Sequence, residues 1–216
     1  MANASGPARP RAPAAPPLAR RAPLYGVGWI FFSAVVRLGF GLRVEGRRNV
    51  PRTLGCIVAS NHVSSWDPPV VGISAPRTIH FMAKRELFAS RFVASVLRAV
   101  GAFPVDRSAN DIGAVKEALR RLKAGHVVGI FFEGTRHADA KAVMGGAAFL
   151  AQRANVPIVP AAIWREGRSF RVRFGEPLVA EGTSRDEGAA ITTELAVRVR
   201  AMLPEGQDER PVRTSG

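Results

Sequence analysis

Leu54-Gly55-Cys56-Ile57-Val58-Ala59-Ser60-Asn61-His62-Val63-Ser64-Ser65-Trp66-Asp67-Pro68 is the stretch whose reading decides the fold. Its first half is a short apolar run, the pattern of a strand buried on both faces. Its second half is polar and closes where Asp67 precedes Pro68 and Pro69. That is a helix start, because Asp favours the cap and proline the first helical position. The unit is therefore strand, loop, helix. His62 and Asp67 lie on the loop at the strand's C-terminal end, where α/β sheets tend to bind ligands.

Outward from this unit, short apolar runs alternate with segments of helical period. Strands are expected at 54–60, 78–83, 102–105, 127–132, 157–163 and 169–174, and helices at 24–40, 68–74, 88–99, 110–124, 143–154 and 185–203. The 110–124 segment is the clearest helix, with Asn110 or Asp111 as cap and Ile112, Val115, Leu119 and Leu122 on one face. Such alternation predicts one layered α/β domain with a mixed, largely parallel sheet flanked by helices.

Residues 44–203 form that expected domain, and no internal repeat is visible. Residues 1–23, almost wholly Ala, Pro, Arg and Gly, cannot bury enough apolar surface to offset the entropy of ordering, and read as a disordered basic tail. Residues 204–216 read as a second, flexible tail. Between tail and domain, 24–43 reads as an apolar helix that lies in a membrane interface or packs on the domain: Leu24 to Val36 carries Trp29, Phe31 and Phe32 and stops at Arg37. No run reaches the ~18–20 uninterrupted apolar residues of a spanning helix. Arg20-Arg21 precedes the segment without a clear cleavage site, so a cleaved signal is not expected.

With 216 residues and 47% apolar content, one buried core can be filled. The net charge of +14 implies an anionic partner, whether a phosphorylated metabolite, a lipid surface or nucleic acid. Nucleic acid is disfavoured: 7% aromatics with a single tyrosine leave little to stack on bases. The lone cysteine, Cys56, rules out an internal disulfide and a multi-cysteine metal site, and its apolar setting makes it a core residue rather than a nucleophile.

The chemistry centres on His62 and Asp67. Five residues apart on a continuous helix they would be offset by about 140°, but a loop ahead of the helix removes the conflict. Asp67 can then fix the tautomer of His62 and leave its other ring nitrogen to take a proton from an alcohol, half of a catalytic triad whose nucleophile comes with the substrate. Alone, the pair reads more readily as a helix cap and a loop hydrogen-bonder. Phe131-Phe132-Glu133-Gly134-Thr135-Arg136 places an acid, a glycine, a hydroxyl and a guanidinium at the end of another strand, a set suited to phosphate or to a tight turn with a surface ion pair. Gly101-Ala102-Phe103-Pro104-Val105-Asp106-Arg107 ends in Arg107, a second phosphate candidate or a solvated surface arginine. Val156 to Pro160 has no chemical groups and belongs to the sheet or an acyl-pocket wall. His80, His126 and His137 read as structural or surface residues.

These four blocks, in this order, resemble the glycerolipid acyltransferase family typified by bacterial 1-acyl-glycerol-3-phosphate acyltransferase, over about residues 44–178. Asn61, His62 and Asp67 match NHxxxxD; Gly101 and Arg107 match GxxFxxR; Phe131, Glu133, Gly134, Thr135 and Arg136 match FPEGTRS; 156–160 match VPIVP. The resemblance implies that His62 is the general base with Asp67 its partner, and that Asn61, Arg107, Glu133, Gly134, Thr135 and Arg136 bind substrate. Phe132, His137, Pro104 and Gly145 depart from the family's usual residues, three of them beside the expected phosphate ligands.

The resemblance further implies transfer of a fatty acyl chain from acyl-CoA or acyl-carrier protein to the free hydroxyl of 1-acyl-sn-glycerol-3-phosphate, giving phosphatidic acid. The alternative is the same chemistry on another lysolipid or glycolipid. No metal and no cofactor are expected beyond the acyl donor. The expected partners are a membrane phospholipid surface, the lysophospholipid acceptor and the thioester donor, at the cytoplasmic face of a cytoplasmic membrane.

Overall fold

The computed structural model describes residues 33–99, 101–105, 111–132, 138–182 and 184–205. Seven strands among them form one sheet: β1 (Leu42–Glu45), β2 (Cys56–Asn61), β3 (Ile79–Lys84), β4 (Phe103–Val105), β5 (Val127–Phe132), β6 (Ile158–Glu166) and β7 (Ser169–Phe174). Their order is β1-β7-β6-β2-β5-β3-β4. Every pairing is parallel except that of β6 with β7. β2 lies at the centre, with Ser60 opposite Phe131 and Ala161, and Asn61 opposite Phe132.

Side chains alternate across a strand, so each strand feeds two cores. On one face Ile57, Ala59, Val128, Ile130 and Phe132 pack against α3 (Ile112–Lys123), α4 (Ala138–Ala154) and α5 (Arg185–Met202) through Ala118, Leu122, Met144, Ala148, Leu195 and Val199. On the other, Val58, Val127, Val159 and Ile163 pack against Val70, Val71 and Ile73 of α1 (Asp67–Ser74). Cys56 belongs to this second core, where burial pushes its thiol up to about 12, as expected of an inert core residue. The remaining helix, α2 (Arg91–Ala99), bridges β3 and β4. Asp111 caps α3 by accepting from Ala114 N at 2.9 Å. Ser184 and Glu187 form a reciprocal capping box on α5.

All six expected strands are present, so the fold class stands as an α/β sheet of largely parallel strands flanked by helices. One strand escaped the sequence. The segment expected to be helical over 24–43 is helical from Ser33 to Phe40, turns at Gly41, and continues as β1 from Leu42. β1 pairs with the alternating edge strand β7, which supplies the partner its own four residues do not announce. The rest of that expected segment, 24–32, lies outside the described residues, as do the two tails up to 23 and from 206. α4 starts at Ala138, five residues before the expected 143. Among the described residues, no helix is long and apolar enough to cross a membrane.

Candidate active site

The site grows from the C-terminal end of β2. Asn61, buried in the last position of that strand, donates from Nδ2 to the Ile163 carbonyl at 2.8 Å and accepts from Ile163 N on Oδ1 at 2.8 Å. These bonds hold β2 to β6 beyond their last paired residues, Ser60 and Ala161. Expected as a substrate ligand, Asn61 spends its carboxamide on the sheet. The next residue, His62, is anchored by its own N–H, which donates to the Phe132 carbonyl of β5 at 2.9 Å.

Asp67 is the first residue of α1 and not its cap. Its carboxylate turns back over the loop. Oδ2 accepts from Val63 N at 2.6 Å, from Ser64 N at 2.8 Å and from His62 Nδ1 at 3.0 Å. The bland alternative, a carboxylate capping α1, is therefore not what forms. An ionised carboxylate only accepts, so the Nδ1 proton of His62 points to it and Nε2 keeps the lone pair. The His62 side chain is 20% exposed and that of Asp67 2%. The aspartate is sealed beneath the loop while the imidazole keeps an open edge. An imidazole so fixed can take a proton from an alcohol at Nε2 and pass it on, while the carboxylate offsets the positive charge that forms.

One support for His62 was missed in the sequence. The Phe131 ring lies 5.0 Å from the imidazole, and Phe81 of β3 stacks on Phe131 at 5.2 Å. Phe81 fits only because residue 129 is glycine: a Cβ there would stand 2.3 Å from Phe81 Cδ1 and 2.7 Å from Ile79 Cγ2. The signal was present, since a glycine inside the apolar strand Val127 to Phe132 marks a close approach.

Arg107, Glu133, Gly134, Thr135 and Arg136 lie outside the described residues, as does His137. The strands leading to them are described: β4 ends at Val105, and β5 ends at Phe132 beside His62. Val156 to Pro160 enters the sheet, with Ile158 and Val159 fully buried beside β2.

The other described histidines behave as structural residues. Arg121 Nη1 donates to the Gly101 carbonyl at 2.9 Å and lies 2.5 Å from His80 Nδ1, which is itself 2.9 Å from that carbonyl. Burial first, and the Arg121 guanidinium second, push His80 down to about 4. His126, 4.8 Å from His80 ring to ring, is lowered by burial and then by Arg121. Gly101, with φ +81°, abuts this pair: a Cβ would meet His80 Nδ1 at 2.5 Å. No group of three His, Cys, Asp or Glu side chains among the described residues is placed to hold a metal ion. A groove of about 740 Å³ between α4 and α5, lined by Phe149, Thr192 and Val197 among others, includes none of the expected site residues.

Residues 41–164 match the family model described as Acyltransferase. The chain is 32% identical over 182 residues to the 1-acyl-sn-glycerol-3-phosphate acyltransferase of Bacillus subtilis, covering 78% of this chain and 91% of that protein. It is 38% identical over 106 residues to the enzyme of the same name from Streptococcus pneumoniae, covering 48% of this chain and 39% of that one. Among solved structures, the 1-acyl-sn-glycerophosphate (LPA) acyltransferase PlsC of Thermotoga maritima superposes with a TM-score of 0.59 at 22% identity, over 84% of this chain and 91% of that chain, a likeness of fold.

Proposed function

The chain belongs to the acyltransferase family, and from that premise we propose that it moves a fatty acyl chain from acyl-CoA or acyl-carrier protein to the free hydroxyl of 1-acyl-sn-glycerol-3-phosphate, giving phosphatidic acid. The observation that carries the reading is the 3.0 Å contact between His62 Nδ1 and Asp67 Oδ2 at the end of the central strand. The names of the relatives supply the acceptor class.

In the proposed mechanism donor and acceptor bind together. The acceptor hydroxyl gives its proton to Nε2 of His62 as its oxygen attacks the thioester carbonyl. Collapse of the tetrahedral adduct forms the ester and breaks the carbon–sulfur bond, and His62 returns the proton to the leaving thiolate. No acyl-enzyme forms and no cofactor is consumed. General-base help of this kind contributes roughly 10²–10⁴-fold, and the remainder comes from holding two substrates in line. Asn61, Phe131 and Phe81 position His62. Arg107, Glu133, Gly134, Thr135 and Arg136 bind the acceptor, with the two arginines at its phosphate. The enzyme works at the inner face of a cytoplasmic membrane, where both substrates meet.

The test is thiol release from acyl-CoA, and from acyl-carrier protein, against a panel of acceptors. Release that requires lysophosphatidic acid supports the reading. Release only with another lysolipid or a glycolipid replaces the acceptor, and a salt-sensitive DNA shift without thioester turnover replaces the function.

A further inference from the structure

The site end of the sheet carries exposed apolar side chains on both sides of His62. On one side the helical segment Val35–Phe40 leads into β1 and presents Leu38, 88% exposed. There Phe40 lies 6.2 Å from Trp66, the half-exposed neighbour of Asp67. On the other side β3 ends at Lys84 and passes through the turn Arg85–Phe88 into α2, exposing Leu87 by 50% and Phe92 by 79%. Sheet order and direction put both groups at the same end as the histidine. β2, β5 and β3 run parallel, so Arg85 follows the end of β3 as His62 follows the end of β2. β1 runs parallel to β7, and β7 runs antiparallel to β6, which parallels β2. The segment entering β1 is thus also at the site end. At about 4.8 Å per strand, β3 lies ~10 Å to one side of β2 and β1 ~14 Å to the other.

The exposed apolar groups are interleaved with cations. Arg37 and Arg165 accompany the first group, and the Arg165 guanidinium lies 5.9 Å from the Phe40 ring. Lys84, Arg85, Arg91 and Arg98 accompany the second, against Glu86 and the Asp111 carboxylate that accepts from Arg85 at 3.2 Å. Exposed large apolar groups set among arginines fit one partner: a lipid interface whose acyl region takes the apolar tips and whose anionic headgroups meet the cations. A protein partner would be expected to offer a groove of its own shape, whereas these groups stand on two separate elements astride the site.

We infer that α2 and the turn before it form a second membrane contact, opposite the N-terminal one, so that the chain straddles its site and sets the open edge of His62 against a bilayer with anionic headgroups. The inference deepens the proposed function and rests on it for the site's location, while its test does not depend on turnover.

The test uses the full chain with vesicles of phosphatidylglycerol and phosphatidylcholine. Cys56 is wholly buried and its thiol is raised, so Phe92→Cys adds the one thiol open to an environment-sensitive fluorophore. The label is expected to be solvated without vesicles and to shift to the blue with them, and lipids quenching in the acyl region are expected to quench it. The pair Leu87→Asp with Phe92→Asp is expected to weaken vesicle binding roughly tenfold or more. It should leave the melting temperature, and turnover of water-soluble short-chain substrates, unchanged. Blue emission before vesicles are added would overturn the inference, since the face would then be covered by residues 1–32 or by a second copy. Vesicle binding with the label still solvated would overturn it too, as would an equal loss of turnover on soluble substrates. Seating of Phe92 in vesicles by a chain that releases no thiol would support this inference and defeat the proposed function.

Discussion

Replacing Asp67 with asparagine isolates the charge beneath His62. Three donors converge on Oδ2 at 2.6, 2.8 and 3.0 Å. A carboxamide oxygen can still accept from the Val63 and Ser64 N–H groups, so Asp67→Asn retains the loop at a cost of about 1 kcal/mol, the worth of an ordinary hydrogen bond. Asp67→Ala would strand part-buried donors and lose about 1 kcal/mol for each. What Asn removes is the negative charge facing the imidazolium formed during transfer. At ~4 Å between charge centres and an effective dielectric constant of about 20, that attraction is worth ~4 kcal/mol, or about 10³-fold in rate. The imidazole is 20% exposed, and solvent screening lowers the expectation to roughly 10²–10³-fold. The assay is steady-state thiol release with acyl-CoA and lysophosphatidic acid, beside a thermal melt. A fall in kcat with an intact melt is expected, and an unchanged kcat in a folded Asp67→Asn would refute the electrostatic role given to the carboxylate.

Gly129→Ala should destabilise the protein by about 1–3 kcal/mol, because the added methyl displaces Phe81 in a packed core; urea unfolding measures it, and kcat should fall with it as Phe131 loses its support. Ser60→Ala should be neutral or slightly stabilising in the same assay, since Ser60 Oγ is buried with no hydrogen-bond partner among the described residues. Acid should destabilise the fold. The unfolded chain takes up a proton at His80 near its ordinary value of 6.5 while the native state resists to about 4, so stability is full above 6.5 and lost as pH falls towards 4, by up to ~3 kcal/mol. Unfolding at pH 7 and pH 4.5 should show that loss in the wild type and less of it in His80→Gln.

The architecture was legible because every strand but β1 carries its own signal. Cys56 to Asn61, Val127 to Phe132 and Ile158 to Trp164 are apolar runs that suit only a sheet covered on both faces. β1 was not legible, because four residues following an apolar helix gain strand character only from β7. At the site, the spacing of His62 and Asp67 ahead of two prolines implied a loop-borne pair. It did not imply that Asp67 would enter the helix and bind the loop backbone with its charge. A carboxylate near a helix start serves either the helix or the loop before it, and the path of Val63 and Ser64 decides which. The bonds of Asn61 were not legible for a related reason. Next to a reactive histidine it reads as a ligand, yet β6 runs on past the end of β2 to Glu166 and offers both backbone groups of Ile163 to its carboxamide.

The most direct test is His62→Ala, assayed for thiol release with saturating acyl-CoA and lysophosphatidic acid once its melt has been matched to the wild type. Loss of release by at least ~10²-fold, with no acyl group found covalently on either protein, is the predicted result. Wild-type release by the alanine variant, or an acylated side chain in the native enzyme, would contradict a histidine that activates the incoming alcohol.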